Sequence, residues 1–299
     1  MAKKQYNPIW EKQQSDWWTY FWGGVKSPWR PSKKEVLFFK SFIKKLLAKR
    51  KHLEVLILGA TPEFRDMLFR LPQVKVTLID LNMTAKRGMD RLCRVTNKKE
   101  KLVVGDWLKM DKLLPHHYFD IVMNDEGFEN IDVRKHELMY RNVAKVLKPD
   151  GYFLSGRACL ESLRKSYLTF EQFFNKYKKD PKFFHNFYNR LWYLYRLIFS
   201  PEAHVYDYKK QGAKLGRLGY EIIARAKKVG IKNTKYLGWD PRIGYQDPSL
   251  KNYMEVDICD WNRLKRMMTK HFKIVKIYQD LFHPVMEQKY NFILSPKKK

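Results

Sequence analysis

The sequence predicts an α/β fold: a mostly parallel sheet covered by helices on both faces. Two observations carry this. Short apolar runs of strand length recur at residues 54–58 (EVLIL), 74–79 (VKVTLI), 101–104 (KLVV), 119–123 (FDIVM) and 151–155 (GYFLS), rich in β-branched and aromatic residues. Helical stretches at 62–70, 84–95 and 134–147 separate most of them, and strands alternating with helices at this spacing build parallel sheets that bind ligands beyond the carboxyl ends of their strands.

In chain order, the first thirty residues hold Trp10, Trp17, Trp18, Trp22 and Trp29 beside Tyr20 and Phe21. Water does not tolerate that aromatic density on a loose tail, so the segment has to dock on the domain as a clamp or close over a ligand. A helix follows, because Ser32 and Glu35 stand in capping-box spacing and Val36, Phe39, Phe42, Ile43, Leu46 and Leu47 recur at helical intervals. The first strand runs into Gly59, where the chain turns tightly, with Thr61 placed to cap a helix whose first residue is Pro62. After residue 157 the strand–helix rhythm stops. Residues 161–229 are helical in texture and aromatic-rich, and 236–248 (YLGWDPRIGYQDP) read as loop. A helix at 260–270 and two strand-like runs, 271–279 and 289–294, then supply a terminal hairpin that closes the sheet.

Composition narrows the function classes. With 299 residues, 44% hydrophobic, the chain can bury a core as one large domain or a domain with an insertion, and it is neither disordered nor collagen-like. The formal charge is +29. Residues 1–50 carry 12 basic and 3 acidic side chains, 51–157 carry 19 and 15, and 158–299 carry 29 and 13. A nearly balanced middle between basic flanks fits either an anionic partner such as RNA or a merely lysine-rich chain. Cys93, Cys159 and Cys259 lie far apart, which excludes a disulfide framework and a clustered zinc site, and no metal is expected. The N-terminus lacks a signal-peptide core, and the densest apolar run, 191–199, is broken by Arg196 and too short to span a bilayer, so a cytoplasmic protein without a transmembrane segment is expected.

Polar residues with chemical potential fall at four successive strand ends. The turn Gly59-Ala60-Thr61 keeps only the first glycine of a dinucleotide fingerprint; Ala60, Pro62 and Phe64 crowd the positions where a pyrophosphate needs glycine, which disfavours NAD and FAD. Asp80 ends the second strand about twenty residues further on, where a carboxylate accepts from both ribose hydroxyls. Asp106 and Trp107 follow the third strand, offering an acceptor for an adenine amino group and a flat contact, and Asn124, Asp125 and Glu126 follow the fourth. Any one of these carboxylates could be a helix cap; four in register are not explained that way.

The ordered series VLILGATPE, TLIDLN, LVVGDW, FDIVMNDE and LKPDGYFL resembles the motifs of class I S-adenosylmethionine-dependent methyltransferases over roughly residues 30–157, resuming at 260–294. The first motif departs from the usual glycine-rich form and resembles an LGxTPE variant. The resemblance implies a Rossmann-like sheet of seven strands, the last antiparallel, and S-adenosyl-L-methionine as cofactor. It places Gly59, Ala60 and Thr61 beside the methionine part, Asp80 on the ribose flanked by Leu81 and Asn82, Asp106 and Trp107 at the adenine, and Asn124 and Asp125 toward the methionine moiety and the substrate entrance. It also implies three regions: an aromatic lid at 1–31, in which Arg30 partners the cofactor carboxylate; a core at 32–157 and 260–299; and a helical insertion at 158–259, between the fifth and sixth strands, as substrate cap.

Methyl transfer needs alignment more than acid–base chemistry. If the nucleophile arrives protonated, Asp125 and Glu126 are the nearest bases, and His185, His204, Tyr206 and Tyr208 can contribute from the insertion. No asparagine-proline-proline-aromatic signature for amino methylation of bases is present, since the place reads NDEGF. A small-molecule acceptor therefore ranks above RNA, with an RNA methyltransferase or a non-catalytic nucleic-acid-binding protein on the same fold as the alternatives. The sequence leaves the oligomeric state open.

Overall fold

Unbroken apolar runs make strands that must be buried on both faces, and every residue of β1 (Leu53–Leu58) and of β4 (Phe119–Asp125) is buried in the computed structural model. The structure describes residues 15–16, 18–19, 22–23, 30–81, 83–95, 99–125, 127–131, 133–159, 205–207, 255–257, 261–283 and 286–297. Its further strands are β2 (Val74–Asp80), β3 (Lys101–Val104), β5 (Leu147–Cys159), β6 (Val205–Asp207), β7 (Glu255–Asp257), β8 (Phe272–His283) and β9 (Met286–Pro296). The helices are α1 (Lys33–Leu47), α2 (Pro62–Phe69), α3 (Met83–Asp90), α4 (Met110–Leu113), α5 (His136–Val146) and α6 (Trp261–His271).

Seven strands form one sheet in the order β3-β2-β1-β4-β5-β9-β8. Only β9 runs against the others, pairing antiparallel with both β5 and β8. The expected parallel sheet, closed by a terminal hairpin whose last strand is antiparallel, is therefore what the chain builds. Alternation splits the core in two. Val55 and Ile57 pack with Phe39 and Ile43 of α1 and Phe64 and Leu68 of α2 on one face. Leu56, Leu58 and Val122 pack with Met139 and Val143 of α5 and Leu264 and Met268 of α6 on the other.

Three boundaries differ from the sequence reading, each for a local reason. The fifth strand begins at Leu147 rather than at residue 151: pairing jumps from Phe119↔Leu147 to Ile121↔Tyr152, so the intervening residues bulge and α5 stops one residue early. Helix α3 ends at Asp90 rather than near residue 95, because the Arg94 and Val95 amides donate to the Asp66 carboxylate at 2.8 and 3.0 Å instead of continuing the helix. Residues 205–207, read as helical, form with β7 a two-stranded ribbon against the turns at 127–130 and 133–135 that follow β4. The rest of 158–259 lies outside the described residues, as does its expected helical character.

The amino end of the sheet is tied by Asp120. Its carboxylate accepts from the Glu54 amide at 2.8 Å, from Arg50 at 2.6 Å and from Lys148 at 2.9 Å, joining the α1–β1 link to the β5 bulge. Burial alone would raise its pKa, but these donors outweigh burial and hold it below the usual carboxylate range.

The described part of the aromatic N-terminus docks along the first helices. Trp22 belongs to the core cluster beneath α1 and α2. The Thr19 hydroxyl donates to the Gly88 carbonyl at 2.9 Å, and Arg91 pairs with Asp16. This is the clamp arrangement; Trp10, Trp17, Tyr20, Phe21 and Trp29 lie outside the described residues.

Candidate cofactor-binding site

The carboxyl edge of β1, β2, β3 and β4 gathers the residues singled out by the sequence. Gly59 follows β1 at φ +93°, a conformation that side chains avoid, and its amide donates to the Ile79 carbonyl at 2.8 Å. That carbonyl also accepts from Trp107 Nε1 at 2.7 Å, and the indole lies across the Gly59 turn, 3.5 Å from where a Cβ would stand. Trp107 is thus a pin between the first three strands: its N–H is engaged with backbone, and only ring surface remains for a ligand. Ala60 and Thr61 are buried in the same turn. Thr61 stands at the N-cap of α2 but its side chain makes no capping bond, contrary to the sequence expectation.

Asp80 stands half-buried at the tip of β2, its carbonyl accepting from the Gly105 amide at 2.8 Å. Leu81 next to it is 46% exposed, and Val104, paired with Asp80 across β2 and β3, is 52% exposed. Two open aliphatic side chains at strand ends flank the carboxylate. Asp106 is a cap as well as a site candidate, since its Oδ1 accepts from the Leu108 amide at 2.9 Å. Arg30 is not presented to a ligand carboxylate: its Nε binds Glu63 in the first turn of α2, and one Nη donates to the Trp22 carbonyl at 3.2 Å. Trp22 Nε1 donates to the same Glu63 at 3.1 Å. Arg30 thereby fastens the N-terminal segment to the glycine turn.

At the end of β4, Asn124 Oδ1 accepts from the Gly127 amide at 3.1 Å, while its fully buried Nδ2 has no partner among the described residues. Asp125 is held differently from expectation. Its Oδ1 meets Lys289 Nζ of β9 at 2.5 Å, and Lys289 also pairs with Glu35 Oε2 at 3.0 Å, all three side chains excluded from solvent. Sequence reasoning missed Lys289 altogether and saw Glu35 only as a capping residue, a role it also fills. The signal was present: Lys289 and Asn291 alternate with Tyr290 and Phe292 in a strand-like run, placing a lysine on a core face. Glu126, Asn82, His185 and His204 lie outside the described residues, and Tyr206 is placed on β6 opposite Val256.

On the other face, Arg157 of β5 is buried with its guanidinium 5.2 Å above the Phe128 ring. Nearby His136 donates through Nε2 to the Phe128 and Ile131 carbonyls at 2.9 and 3.1 Å. Burial, and then the Arg157 charge, push its pKa down to about 3. A histidine lowered on folding favours the native state fully above its ordinary 6.5 and progressively less below it, by about 1.4 kcal/mol per pH unit down to about pH 3. Thermal melts from pH 7.5 to 4 should show this decline, and His136→Gln should flatten it; an unchanged slope would remove His136 as its source.

These residues suit a nucleoside without phosphates. A carboxylate flanked by open aliphatic side chains can take a ribose beside an adenine, Ala60 and Thr61 stand buried in the turn where a pyrophosphate would need glycine, and the Asn124 amide lacks, among the described residues, an acceptor that a polar ligand would supply. A family profile described as a methyltransferase domain matches residues 60–155. Residues 60–155 form a methyltransferase domain. No curated protein sequence matches the chain.

Solved structures match over nearly the whole length at low identity. A Rhodobacter sphaeroides protein bearing a zinc-dependent alcohol dehydrogenase name is 13% identical with TM-score 0.55, covering 96% of this chain and 99% of that one. The 1,6-didemethyltoxoflavin-N1-methyltransferase of Burkholderia thailandensis, with its acceptor and S-adenosylhomocysteine bound, is 11% identical with TM-score 0.49, covering 100% and 94%. The N-methyltransferase NodS of Bradyrhizobium japonicum is 13% identical with TM-score 0.47, covering 95% and 100%. At these identities the first of them supports the fold alone. Among the described residues of the methyltransferase domain and its flanks, no group of His, Cys, Asp and Glu could hold a metal ion, and no helix is long and apolar enough to cross a membrane.

Proposed function

We propose that the protein transfers the methyl group of S-adenosylmethionine to a small-molecule acceptor by direct in-line displacement. When bound, the cofactor supplies an electrophilic methyl carbon: the acceptor's lone pair forms the new bond as the carbon–sulfur bond breaks and its electron pair stays on sulfur, leaving S-adenosylhomocysteine. The observation that carries this reading is the convergence of Gly59, Asp80, Asp106 and Asn124 on one sheet edge, the last three inside the methyltransferase domain and Gly59 directly before it.

The chain's own residues then divide the work. Asp80 would hold the ribose with Leu81 beside it, Asp106 and the ring of Trp107 would hold the adenine with Val104 open at the same edge, and Asn124 Nδ2 would donate toward the methionine end. Asp125 is an orienting carboxylate rather than a free base, because Lys289 occupies its Oδ1. Glu126 stands next in the chain as the base for an acceptor that arrives protonated. The β6/β7 ribbon against the turns after β4 favours an acceptor small enough to be enclosed at that end. Residues 1–31 act as clamp and lid in this reading, with Arg30 tying them to Glu63, and 158–259 as the acceptor cap. Calorimetric titration with S-adenosylhomocysteine, beside NAD, tests it: micromolar binding of the former alone is the expected result, and binding of NAD alone would replace methyl transfer with hydride transfer.

A further inference from the structure

The fold sorts the chain's charge by position. Elements on the cofactor side, α2, α3, α4, β2, β3 and the turn at 107–109, carry seven basic residues against five acidic ones. Elements at the opposite edge, α1, α6 and β8, carry 11 against two, and of those two Glu35 is buried against Lys289. A uniformly lysine-rich chain would not segregate in this way.

The three elements form one continuous rim. Among the described strands β8 is the edge, bonded to β9, and α6 runs directly into it. On one face of the sheet Phe38 of α1 stacks on Tyr278 of β8 at 5.2 Å, with Lys276 Nζ 5.5 Å above the Phe38 ring. On the other face α6 packs through Leu264 and Met268 and turns its cations outward. Lys34, Lys44, Lys45, Lys265, Arg266 and Lys273 are exposed and have no acidic partner among the described residues. The core-facing apolar side chains of both helices are buried, and the apolar side chains left open on the rim, Leu37, Val275 and Ile277, stand among its cations.

From this arrangement we infer that the β8 edge is a docking surface for the phosphodiester backbone of a nucleic acid. Cations spread over two helices and the strand between them can follow a chain of phosphates around the edge, whereas a flat anionic surface meets one side at a time. The surface lies across the sheet from the cofactor residues, and its occupation does not depend on methyl transfer.

The test is fluorescence anisotropy of the full chain with a labelled mixed-sequence single-stranded RNA, and with DNA of the same sequence, between 50 and 200 mM salt. Micromolar binding at low salt is expected, with log affinity falling linearly against log salt by about 0.7 for each phosphate neutralised on a single strand. The triple variant Lys265→Glu, Arg266→Glu, Lys273→Glu and the triple variant Lys34→Glu, Lys44→Glu, Lys45→Glu should each lose at least tenfold and flatten the salt slope. A control of identical charge change on the far side, Arg70→Glu, Lys101→Glu, Lys112→Glu, should retain binding within about twofold. A thermal melt of each variant reports folding and titration with S-adenosylhomocysteine reports the cofactor site, so the methyltransferase reading can fail while this one stands. Equal losses in all three variants would reduce the effect to net charge, and tighter binding to phosphatidylserine vesicles than to either nucleic acid would make the rim a membrane surface; either result overturns the inference.

Discussion

Asp80→Ala should lower the affinity for S-adenosylhomocysteine by about 100-fold or more and leave the unfolding midpoint nearly unchanged. The carboxylate stands at the tip of β2, half-buried. A carboxylate accepting from two ribose hydroxyls makes charge-assisted bonds of about 1.5–3 kcal/mol each, and about 1.4 kcal/mol is tenfold in affinity. The β2–β3 register is held by backbone pairing, with the Asp80 carbonyl receiving the Gly105 amide. Asp80→Asn should sit between the two, since an amide keeps one acceptor and loses the charge. Calorimetry and a denaturation curve on the same samples separate the contributions; wild-type affinity in the alanine variant would sink the ribose assignment.

What the sequence made legible follows from how the information is written. Strand existence came from runs such as EVLIL and FDIVM, because a strand buried on both faces is apolar along most of its length, while the seven-strand order with its antiparallel last strand came from the family resemblance. The glycine turn was legible for the same kind of reason, since its geometry requires a residue tolerant of φ +93°. Pairings across the sheet were not. Lys289 meets Asp125 at a separation of 164 residues, and no local pattern connects them. Trp107 looked like a ligand contact because the position of its N–H partner, the Ile79 carbonyl, depends on how β1, β2 and β3 come together. Arg30 likewise looked available until Glu63 was placed beside it by the helix that Pro62 begins. Residue types at strand ends thus announce a site, while which of them face a ligand and which brace the others is decided by long-range packing.

That distinction gives Lys289→Met a large expected effect: a loss of about 3–5 kcal/mol in unfolding free energy, the usual consequence of removing one partner from a buried ion pair. Lys289 Nζ is the cation between Glu35 and Asp125, and all three side chains are shut off from water. The site is built for it: a Cβ on Gly156 would lie 2.8 Å from Lys289 Cε and 2.7 Å from Glu35 Oε1, so glycine on β5 is what lets the pair cross the strand. Without the ammonium, two carboxylates face each other in a medium that screens them poorly. Two consequences distinguish this from simple loss of packing. Adding Glu35→Gln and Asp125→Asn to Lys289→Met should recover much of the lost stability, because a neutral cluster leaves no uncompensated charge. The deficit of the single variant should also shrink between pH 7.5 and pH 5, as protonation of a carboxylate does what the missing lysine did. Urea denaturation at the two pH values reads both. A deficit that is independent of pH and untouched by the neutralising substitutions would assign Lys289 to packing alone, leaving Asp125 to be positioned by its own strand.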